Sequence, residues 1–322
     1  MKDEILKRIS ELSPEKRKLL DRLLNKKGLA SPHLQITNNQ PSSGNSKYSN
    51  IFRLSLTEFQ QSTVSRKPFF LIHPGEGNIS CYSELAVHIG KDFPVYCFQA
   101  LGFNEGEKPY TKIEDMAAHY INSMQSIQDE GPYILGGWSM GGLIAYEMAQ
   151  QLLRQDKNIS MLVVFDTWIS VNRHYVKEGA EALLQNLFPN LKLSLDEIDH
   201  SSDNYSDYFT DEELDLILEN AKKSNFISSE FGVAQVERYF KVFKTNAMAM
   251  LAYKPDIYQG SMIIFRAKEL LTDYDPVIEW SNLVSGGIEI YSVPGHHFTM
   301  LKEPNVQELS RQLREVLSTA LE

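Results

Sequence analysis

The sequence predicts an α/β protein whose mostly parallel, twisted sheet carries helices on both faces, with one helical insertion over its edge. Three observations support this prediction. Short, almost continuous apolar segments alternate with segments in which apolar residues recur at helical spacing. Strands without polar alternation are typical of a parallel sheet that is covered on both sides. Polar residues follow several of these strands, and ligands bind outside the carboxyl ends of parallel strands.

The predicted elements follow one another in a regular order. The main domain is expected over residues 51–322, and residues 51–56 alternate in polarity like an edge strand. The buried strands are expected at 68–73, 94–99, 133–135, 161–165, 262–265 and 288–293. The helices between and after them are expected at 82–89, 113–127, 143–153 and 305–321. Strand and helix therefore alternate from residue 68 to the end of the chain.

Two segments precede this domain. Residues 1–29 predict an amphipathic helical extension, because leucines form a stripe and Lys26-Lys27-Gly28 is a helix stop. This extension is either a solvated appendage or a segment that docks on a partner or an upstream module. Residues 30–50 are rich in Ser, Asn, Gln and Pro, which predicts a flexible linker.

One insertion interrupts the alternation of strands and helices. Between Asp166 and Gly260 no segment has the pattern of a strand. Helical spacing recurs instead at 176–187, 212–223 and 233–253. An insertion of this size at the catalytic edge predicts a helical lid over about residues 168–258.

Composition and charge exclude several classes of function. The net charge of −10 argues against nucleic acid as a partner. No apolar run approaches the roughly 20 residues that span a bilayer, so we expect no membrane association and a cytoplasmic location. The two cysteines do not form a disulfide framework, and no cluster of His, Cys and carboxylate residues has metal-ligand spacing. Neither a metal nor a resident cofactor is expected.

The sequence around Ser139 predicts a nucleophile elbow. An apolar strand ends at Gly136, Gly137-x-Ser139-x-Gly141 follows, and a helix comes next. A strand, G-x-S-x-G and a helix in this order hold a serine on a tight turn at the carboxyl end of its strand. Glycines on both sides are needed because side chains there would collide. A glycine-rich turn without catalytic function is the alternative interpretation.

A serine hydroxyl becomes a strong nucleophile only beside a base that a carboxylate orients. His296 and His297 are the two histidines that follow the last strand, and we predict His297 as the base. For the acid, Asp166 ends the strand after the elbow helix, whereas Asp273 and Asp275 follow the next strand. We favour Asp166, because an aspartate that ends an apolar strand is costly to bury without a partner.

An oxyanion needs two N–H donors. Met140 is the first residue of the helix after Ser139, and its backbone N–H supplies one of these donors. The loop His73-Pro74-Gly75-Glu76-Gly77 follows the first core strand, and the N–H of Gly75 is the expected second donor. We expect the His73 ring to hydrogen-bond loop backbone, and Glu76 to hold the loop in place.

With these residues assigned, the chain from about residue 67 to 313 resembles the type I thioesterase domain of nonribosomal peptide synthetases and polyketide synthases. That family belongs to the α/β-hydrolase superfamily, whose chain order of Ser, Asp and His is present here. The matching pieces are Pro68 to Gly75, Gly136 to Gly142, Asp166 after its strand, Tyr253-Lys254-Pro255, and Gly295-x-His297-Phe298-Thr299-Met300. In this family the acid follows the strand after the elbow, which supports Asp166.

The resemblance implies a reaction and a partner. A carrier protein would deliver an acyl or peptidyl chain as a phosphopantetheine thioester, and Ser139 would release it by hydrolysis or macrocyclisation. Because carrier proteins of this kind are acidic, we expect docking at one of two basic regions. These are the basic tail at the start of the chain and the basic lid residues Lys222, Lys223, Arg238, Lys241 and Lys244. The acid-rich stretch 193–221 is not expected to take part. The alternatives are a stand-alone type II editing thioesterase and a catalytically silent carrier-binding or acyl-binding module.

Overall fold

The computed structural model describes residues 34–38, 50–56, 67–90, 93–169, 233–270, 275 and 277–319. Eight strands in this part of the chain form a single sheet. In chain order they are β1 Leu34–Asn38, β2 Ile51–Leu56, β3 Phe69–Ile72, β4 Val95–Phe98, β5 Tyr133–Trp138, β6 Ile159–Phe165, β7 Met262–Ala267 and β8 Ile288–Val293. All six predicted core strands are present, with ends that differ by a few residues.

The order of strands places β5 in the middle of the sheet. The order is β1-β2-β4-β3-β5-β6-β7-β8, and every neighbouring pair from β4 to β8 is parallel. Only β1 with β2, and β2 with β4, pair antiparallel. The predicted mostly parallel sheet is therefore confirmed. The carboxyl ends of six strands meet at one edge, where polar residues from separate strands can approach each other.

Helices cover both faces of this sheet. In the described residues they are α1 Ser83–Ile89, α2 Ile113–Gln125, α3 Met140–Arg154, α4 Val233–Ala252, the short α5 Val277–Trp280 and α6 Asn305–Thr319. Alternate residues of β3 enter two different apolar clusters. Phe70 packs in the cluster that holds α2, α3 and α4, whereas Phe69 packs in the cluster that holds α1 and α6. Successive side chains of a strand point to opposite faces, so both faces are buried.

The predicted linker over residues 30–50 contains a strand, and this part of the prediction is wrong. β1 pairs along its whole length with β2, with Leu34 opposite Leu56 and Asn38 opposite Phe52. Leu34 and Ile36 alternate with Gln35 and Thr37, a strand pattern that the polar composition around it obscures. As a result β2 is not the edge strand that its alternation suggests, because β1 lies outside it.

Helix α4 is the predicted lid helix that the described residues include. Its bounds, Val233–Ala252, agree with the helix expected at 233–253. The helices predicted at 176–187 and 212–223, and the extension over residues 1–29, lie outside the described residues. None of the described helices is long and apolar enough to cross a membrane.

Candidate active site

Ser139 occupies a strained turn between β5 and α3. Its φ of 56° and ψ of −128° lie outside the regions that residues with side chains ordinarily adopt. Such a conformation costs about 1–3 kcal/mol and persists where the surroundings impose it. The backbone N–H of Ser139 donates to the carbonyl of Phe165 at 3.0 Å, which ties the turn to the end of β6. The predicted elbow geometry is therefore present.

Close packing explains each glycine of this turn. A Cβ on Gly137 would lie 2.2 Å from the carbonyl carbon of Gly141. A Cβ on Gly141 would lie 2.2 Å from the carbonyl oxygen of Ile72, at the end of β3. A Cβ on Gly142 would lie 2.0 Å from Oγ1 of Thr167. Helix α3 can begin this close to the sheet only because these three side chains are absent.

Asp166 and His297 form a buried pair at the same edge of the sheet. Asp166 directly follows β6, and His297 lies in the loop between β8 and α6. The Nδ1 atom of His297 lies 2.9 Å from Oδ2 of Asp166, and the two side chains are 2% and 4% exposed. The other oxygen of Asp166 accepts the N–H of Ala267 at 3.0 Å. The carboxylate is thus held by β7 as well as by the histidine.

The surroundings of Asp166 keep it ionised. Burial on its own would raise the pKa of this carboxyl group. The hydrogen bond from His297 and its electrostatic attraction, the N–H of Ala267 and the nearby Trp168 indole outweigh burial, so the pKa of Asp166 is lowered. An ionised carboxylate only accepts hydrogen bonds, so Nδ1 of His297 carries a proton and donates it. Nε2 is then the nitrogen left to act as a base.

Two aromatic rings fix the orientation of the His297 ring. The ring centroid lies 4.9 Å from that of Trp138, with an angle of 32° between the planes. Phe298 meets it edge to face, with the centroids 4.9 Å apart. Trp138 directly precedes Ser139, so this contact places the histidine against the elbow. An indole face also stabilises a positive charge on a ring that lies beside it.

The other residues considered for the acid and the base have different partners. Asp275 forms an ion pair with Arg266, and its Oδ1 accepts the N–H of Val277 at 3.1 Å. Asp273 lies outside the described residues. The backbone N–H of His296 donates to Oγ1 of Thr299 at 3.0 Å, which helps to shape the loop. Of the candidates that the structure describes, Asp166 and His297 are the two that meet.

The two predicted oxyanion donors come from separate segments: Met140 follows the elbow serine, and Gly75 lies in the loop after β3. Met140 is the first residue of α3, where backbone N–H groups have no acceptor within the helix and lie at its positive end. Gly75 lies in a turn that closes when the N–H of Gly77 donates to the carbonyl of Pro74 at 2.9 Å. Gly77 has a φ of 76°, which its lack of a side chain permits.

His73 holds this turn, as the sequence analysis expects. Its Nδ1 donates to the carbonyl of Pro74 at 2.8 Å, and its Nε2 lies 2.8 Å from the hydroxyl of Tyr120 on α2. Burial lowers the pKa of His73 to about 4, and the hydrogen bond to Pro74 opposes that shift only in part. A neutral ring donates from Nδ1 and accepts the Tyr120 hydroxyl on Nε2.

Glu76 is half-buried in the same turn. Burial raises the pKa of its carboxyl group, while its own backbone N–H and the charges of His297 and Lys302 act in the opposite direction. Glu76 lies near enough to His297 for the two charges to interact.

Sequence reasoning missed two residues that organise the site. The hydroxyl of Tyr82 donates to the carbonyl of Ile72 at 2.6 Å and accepts the N–H of Trp138 at 2.8 Å, so it joins the ends of β3 and β5. Asn246 of α4 donates from Nδ2 to the carbonyl of Gly75 at 2.9 Å. Neither residue belongs to a local motif, and both act on partners that are distant in sequence.

No group of three or more potential metal ligands occurs among the residues that the structure describes. Both cysteines are free thiols, Cys97 buried and Cys81 half-buried. Burial raises the pKa of each thiol well above its ordinary value, which disfavours the reactive thiolate. Ser139, His297 and Asp166 are the residue types that nucleophilic catalysis by an activated serine uses.

Comparisons with known proteins place this geometry in a family. A family model described as "Thioesterase domain" matches residues 67–317. A dimodular nonribosomal peptide synthase of Bacillus subtilis (strain 168) is 27% identical over 266 residues, which cover 81% of this chain and 11% of that protein. An aspulvinone E synthetase of Aspergillus terreus is 27% identical over 287 residues, covering 80% of this chain and 29% of that protein. The chain thus spans less than a third of the length of these curated relatives.

Solved structures with the same fold include a nonribosomal peptide synthetase and an isolated thioesterase domain. The four-domain nonribosomal peptide synthetase AB3403, bound to AMP and glycine, has a TM-score of 0.68 and 25% identity over 83% of this chain and 20% of its own. The NocB thioesterase domain, in covalent complex with a fluorophosphonate nocardicin G analogue, has a TM-score of 0.57 and 21% identity. That match covers 79% of this chain and 95% of the NocB domain. These neighbours confirm the predicted α/β-hydrolase fold.

Proposed function

The chain belongs to the thioesterase-domain family, and from this premise we propose that it releases an acyl or peptidyl chain from the phosphopantetheine thiol of a carrier protein. One observation carries the proposal: the buried pair of Asp166 and His297 packs against Trp138, next to the strained Ser139. A serine, a histidine and a carboxylate in this chain order are the groups that acyl transfer needs.

The first half of the proposed reaction forms an acyl-enzyme. The Oγ atom of Ser139 attacks the thioester carbonyl carbon, and Nε2 of His297 takes the hydroxyl proton. Asp166 stabilises the imidazolium that results. The carbonyl oxygen becomes an oxyanion, and the N–H groups of Met140 and Gly75 hold it. When the C–S bond breaks, the departing sulfur receives the proton from His297 and the acyl group stays on Ser139.

The second half transfers the acyl group to an oxygen or nitrogen nucleophile. His297 removes a proton from water, or from a hydroxyl or amine of the chain itself, as that nucleophile attacks the ester carbon. The same N–H groups hold the second oxyanion. The C–O bond to Ser139 then breaks and Oγ recovers its proton. Water gives an acid, an internal hydroxyl gives a lactone, and an internal amine gives a lactam. No resident cofactor or metal takes part in this proposal.

The carrier protein belongs to the proposal as the partner that delivers the thioester. The curated relatives are synthetases and synthases several times longer than this chain, and this chain matches only part of each. This architecture supports a thioesterase that receives its substrate from another domain. Lys241 is exposed on α4 and is a suitable contact for an acidic carrier. Arg238 is less suitable, since its Nε atom donates to the carbonyl of Phe103 at 3.1 Å.

Active-site labelling tests the acyl-enzyme directly. We expect a fluorophosphonate probe to add covalently to the wild-type protein and Ser139→Ala to abolish the label. The matched control, Ser318→Ala, removes an exposed serine of α6 and should label like the wild type. A wild-type protein that is neither labelled nor able to cleave an acyl thioester of N-acetylcysteamine would contradict the proposed function. Mass analysis of products from thioesters with internal nucleophiles then separates hydrolysis from cyclisation.

A further inference from the structure

The lid insertion reaches the oxyanion loop, residues 74–77, through one buried amide. Asn246 lies on α4, far along the chain from that loop, and is 1% exposed. Its Nδ2 atom donates to the carbonyl oxygen of Gly75 at 2.9 Å. A buried amide group that lost its partner would be left desolvated without a hydrogen bond, which is unfavourable, so this contact ties the helix and the loop together.

Apolar contacts from the same helix surround this hydrogen bond. A Cβ placed on Gly77 would lie 2.6 Å from Cγ1 of Val242, and one placed on Gly75 would lie 3.9 Å from the ring of Phe243. Val242 and Phe243 are both buried. Helix α4 therefore packs directly against the oxyanion loop, and Asn246 provides the polar contact within that packing.

The hydrogen bonds of the loop fix the direction of the Gly75 N–H. A trans peptide is planar, so the N–H of Gly75 points away from the carbonyl of Pro74 in the same peptide unit. That carbonyl accepts from Nδ1 of His73 and from the N–H of Gly77. The next carbonyl, of Gly75 itself, accepts from Asn246. The peptide unit before the Gly75 Cα is thus held by His73 and Gly77, and the one after it by Asn246 of α4, at a residue whose backbone is otherwise free to rotate.

We infer that Asn246 is a positioning residue for the oxyanion hole, through which helix α4 holds the Gly75 N–H in its reactive direction. The inference rests on the proposed function, in which that N–H stabilises the oxyanion. Asn246 touches neither the substrate nor the reacting atoms in this role. It makes transition-state stabilisation depend on the lid helix being packed against the loop, because a misdirected donor stabilises an oxyanion poorly.

Two substitutions of Asn246 test this role. Asn246→Asp keeps the shape of the side chain but replaces the N–H donor by a carboxylate, and Asn246→Ala removes the amide without a change in charge. For hydrolysis of an acyl N-acetylcysteamine thioester we expect kcat to fall about 10- to 100-fold in both, less than the loss of a whole oxyanion donor. KM should stay within about twofold, since the contact acts on the transition state. The rate of fluorophosphonate labelling should fall in parallel with kcat.

The matched control is Met248→Ala, which truncates an exposed side chain two positions away on the same helix and should keep wild-type kinetics. The inference is overturned if either Asn246 variant that folds, judged by its thermal unfolding, keeps kcat within about twofold of the wild type. It is equally overturned if KM rises while kcat is unchanged, which would assign Asn246 to substrate binding. In both cases the proposed function stands as long as the wild-type protein hydrolyses the acyl thioester and the Ser139→Ala variant does not. An inactive, unlabelled wild type would contradict the proposed function instead.

Discussion

The Nδ1 atom of His297 lies 2.9 Å from Oδ2 of Asp166, although 131 positions separate the two residues in the chain. The sheet produces this contact, because Asp166 ends β6 and β7 lies between β6 and β8. The loop after β8 crosses over the end of β7 and meets Asp166 beside the N–H of Ala267. A carboxylate held in this way by two strands orients the histidine toward the elbow.

Replacement of Asp166 by Asn should reduce kcat strongly with little change in KM. An amide in place of the carboxylate can no longer stabilise an imidazolium, and it favours the wrong tautomer of His297. In a serine protease with the same three groups, the equivalent change costs about 10⁴-fold in kcat, and we expect a loss of about 10³- to 10⁴-fold here. Steady-state hydrolysis of an acyl N-acetylcysteamine thioester measures it.

Asp275→Asn is the matched control for this prediction. Asp275 pairs with Arg266 and caps α5, so its replacement should change kcat by less than about threefold. A large loss of kcat in Asp275→Asn together with a small one in Asp166→Asn would reverse the assignment of the acid.

Buried His73, which directly precedes the oxyanion loop, should make the protein less stable in mild acid. Folding lowers the pKa of His73 from 6.5 to about 4. Above the higher pKa value His73 is neutral in both the folded and the unfolded chain, and it does not change the free energy of unfolding. Between the two pKa values His73 binds a proton in the unfolded chain but not in the folded chain, so the free energy of unfolding falls as the pH falls. At about 1.4 kcal/mol per pH unit, the full loss is about 3 kcal/mol.

Urea unfolding at about pH 7 and about pH 4 tests this coupling. His73→Gln should lose about 3 kcal/mol less than the wild type between these conditions. His88→Gln removes a half-buried histidine that pairs with Glu303 and not with His73, and it should retain the His73-dependent loss. Equal losses in the wild type and in His73→Gln would show that His73 is not held neutral in the fold.

Tyr253 should stabilise the carboxyl-terminal end of the lid helix. Its hydroxyl donates at 2.7 Å to Glu147, a buried residue of α3 that also accepts from Gln151 and Arg154. Burial raises the pKa of Tyr253, which keeps the hydroxyl protonated as a donor. Tyr253→Phe leaves the buried carboxylate with one partner fewer and should lower the free energy of unfolding by about 1–3 kcal/mol. Urea titration at neutral pH measures this change.

Tyr291→Phe provides the comparison for this loss. The Tyr291 hydroxyl also donates to a glutamate, Glu289, at 2.6 Å, but that pair faces solvent. Because water replaces the lost partner there, the free energy of unfolding should change by no more than about 0.5 kcal/mol. If the two substitutions had equal effects, burial of Glu147 would not account for the stability that Tyr253 contributes.

Charge reversal on α4 should weaken the use of a carrier-bound substrate. Lys241 is exposed on the lid helix, and Lys241→Glu places a negative charge where we propose that an acidic carrier approaches. We expect KM for an acyl-carrier substrate to rise about 3- to 10-fold at low salt, and the difference to shrink as salt increases. Turnover of the N-acetylcysteamine thioester should not change, because that substrate has no carrier.

Lys254→Glu makes the same change of charge at an exposed position beyond the end of α4, and it should leave the carrier KM unchanged. Equal effects of the two substitutions would indicate a general response to net charge. Unchanged carrier kinetics in Lys241→Glu would exclude this residue from the docking surface.

Local patterns in the sequence were sufficient for the sheet and the elbow. Apolar strands between amphipathic helices predicted the parallel sheet, and Gly137-x-Ser139-x-Gly141 predicted the strained serine, since both depend on residues close together in the chain. Local composition also misled: the polar residues around Leu34–Asn38 hid strand β1. A strand at the margin of a sheet is stabilised by its pairing with a neighbour, which composition does not record.

Only the tertiary structure decided which side chains meet. The sequence favoured Asp166 over Asp273 and Asp275 because it ends an apolar strand, and the hydrogen bond to His297 became visible only when β6, β7 and β8 were placed side by side. Tyr82 and Asn246 had no motif to identify them, since each acts on backbone groups that are distant in sequence. The physical reason is the range of the interactions: periodicity and turn chemistry depend on neighbours in the chain, whereas a catalytic pair and its supports depend on strand order and helix packing.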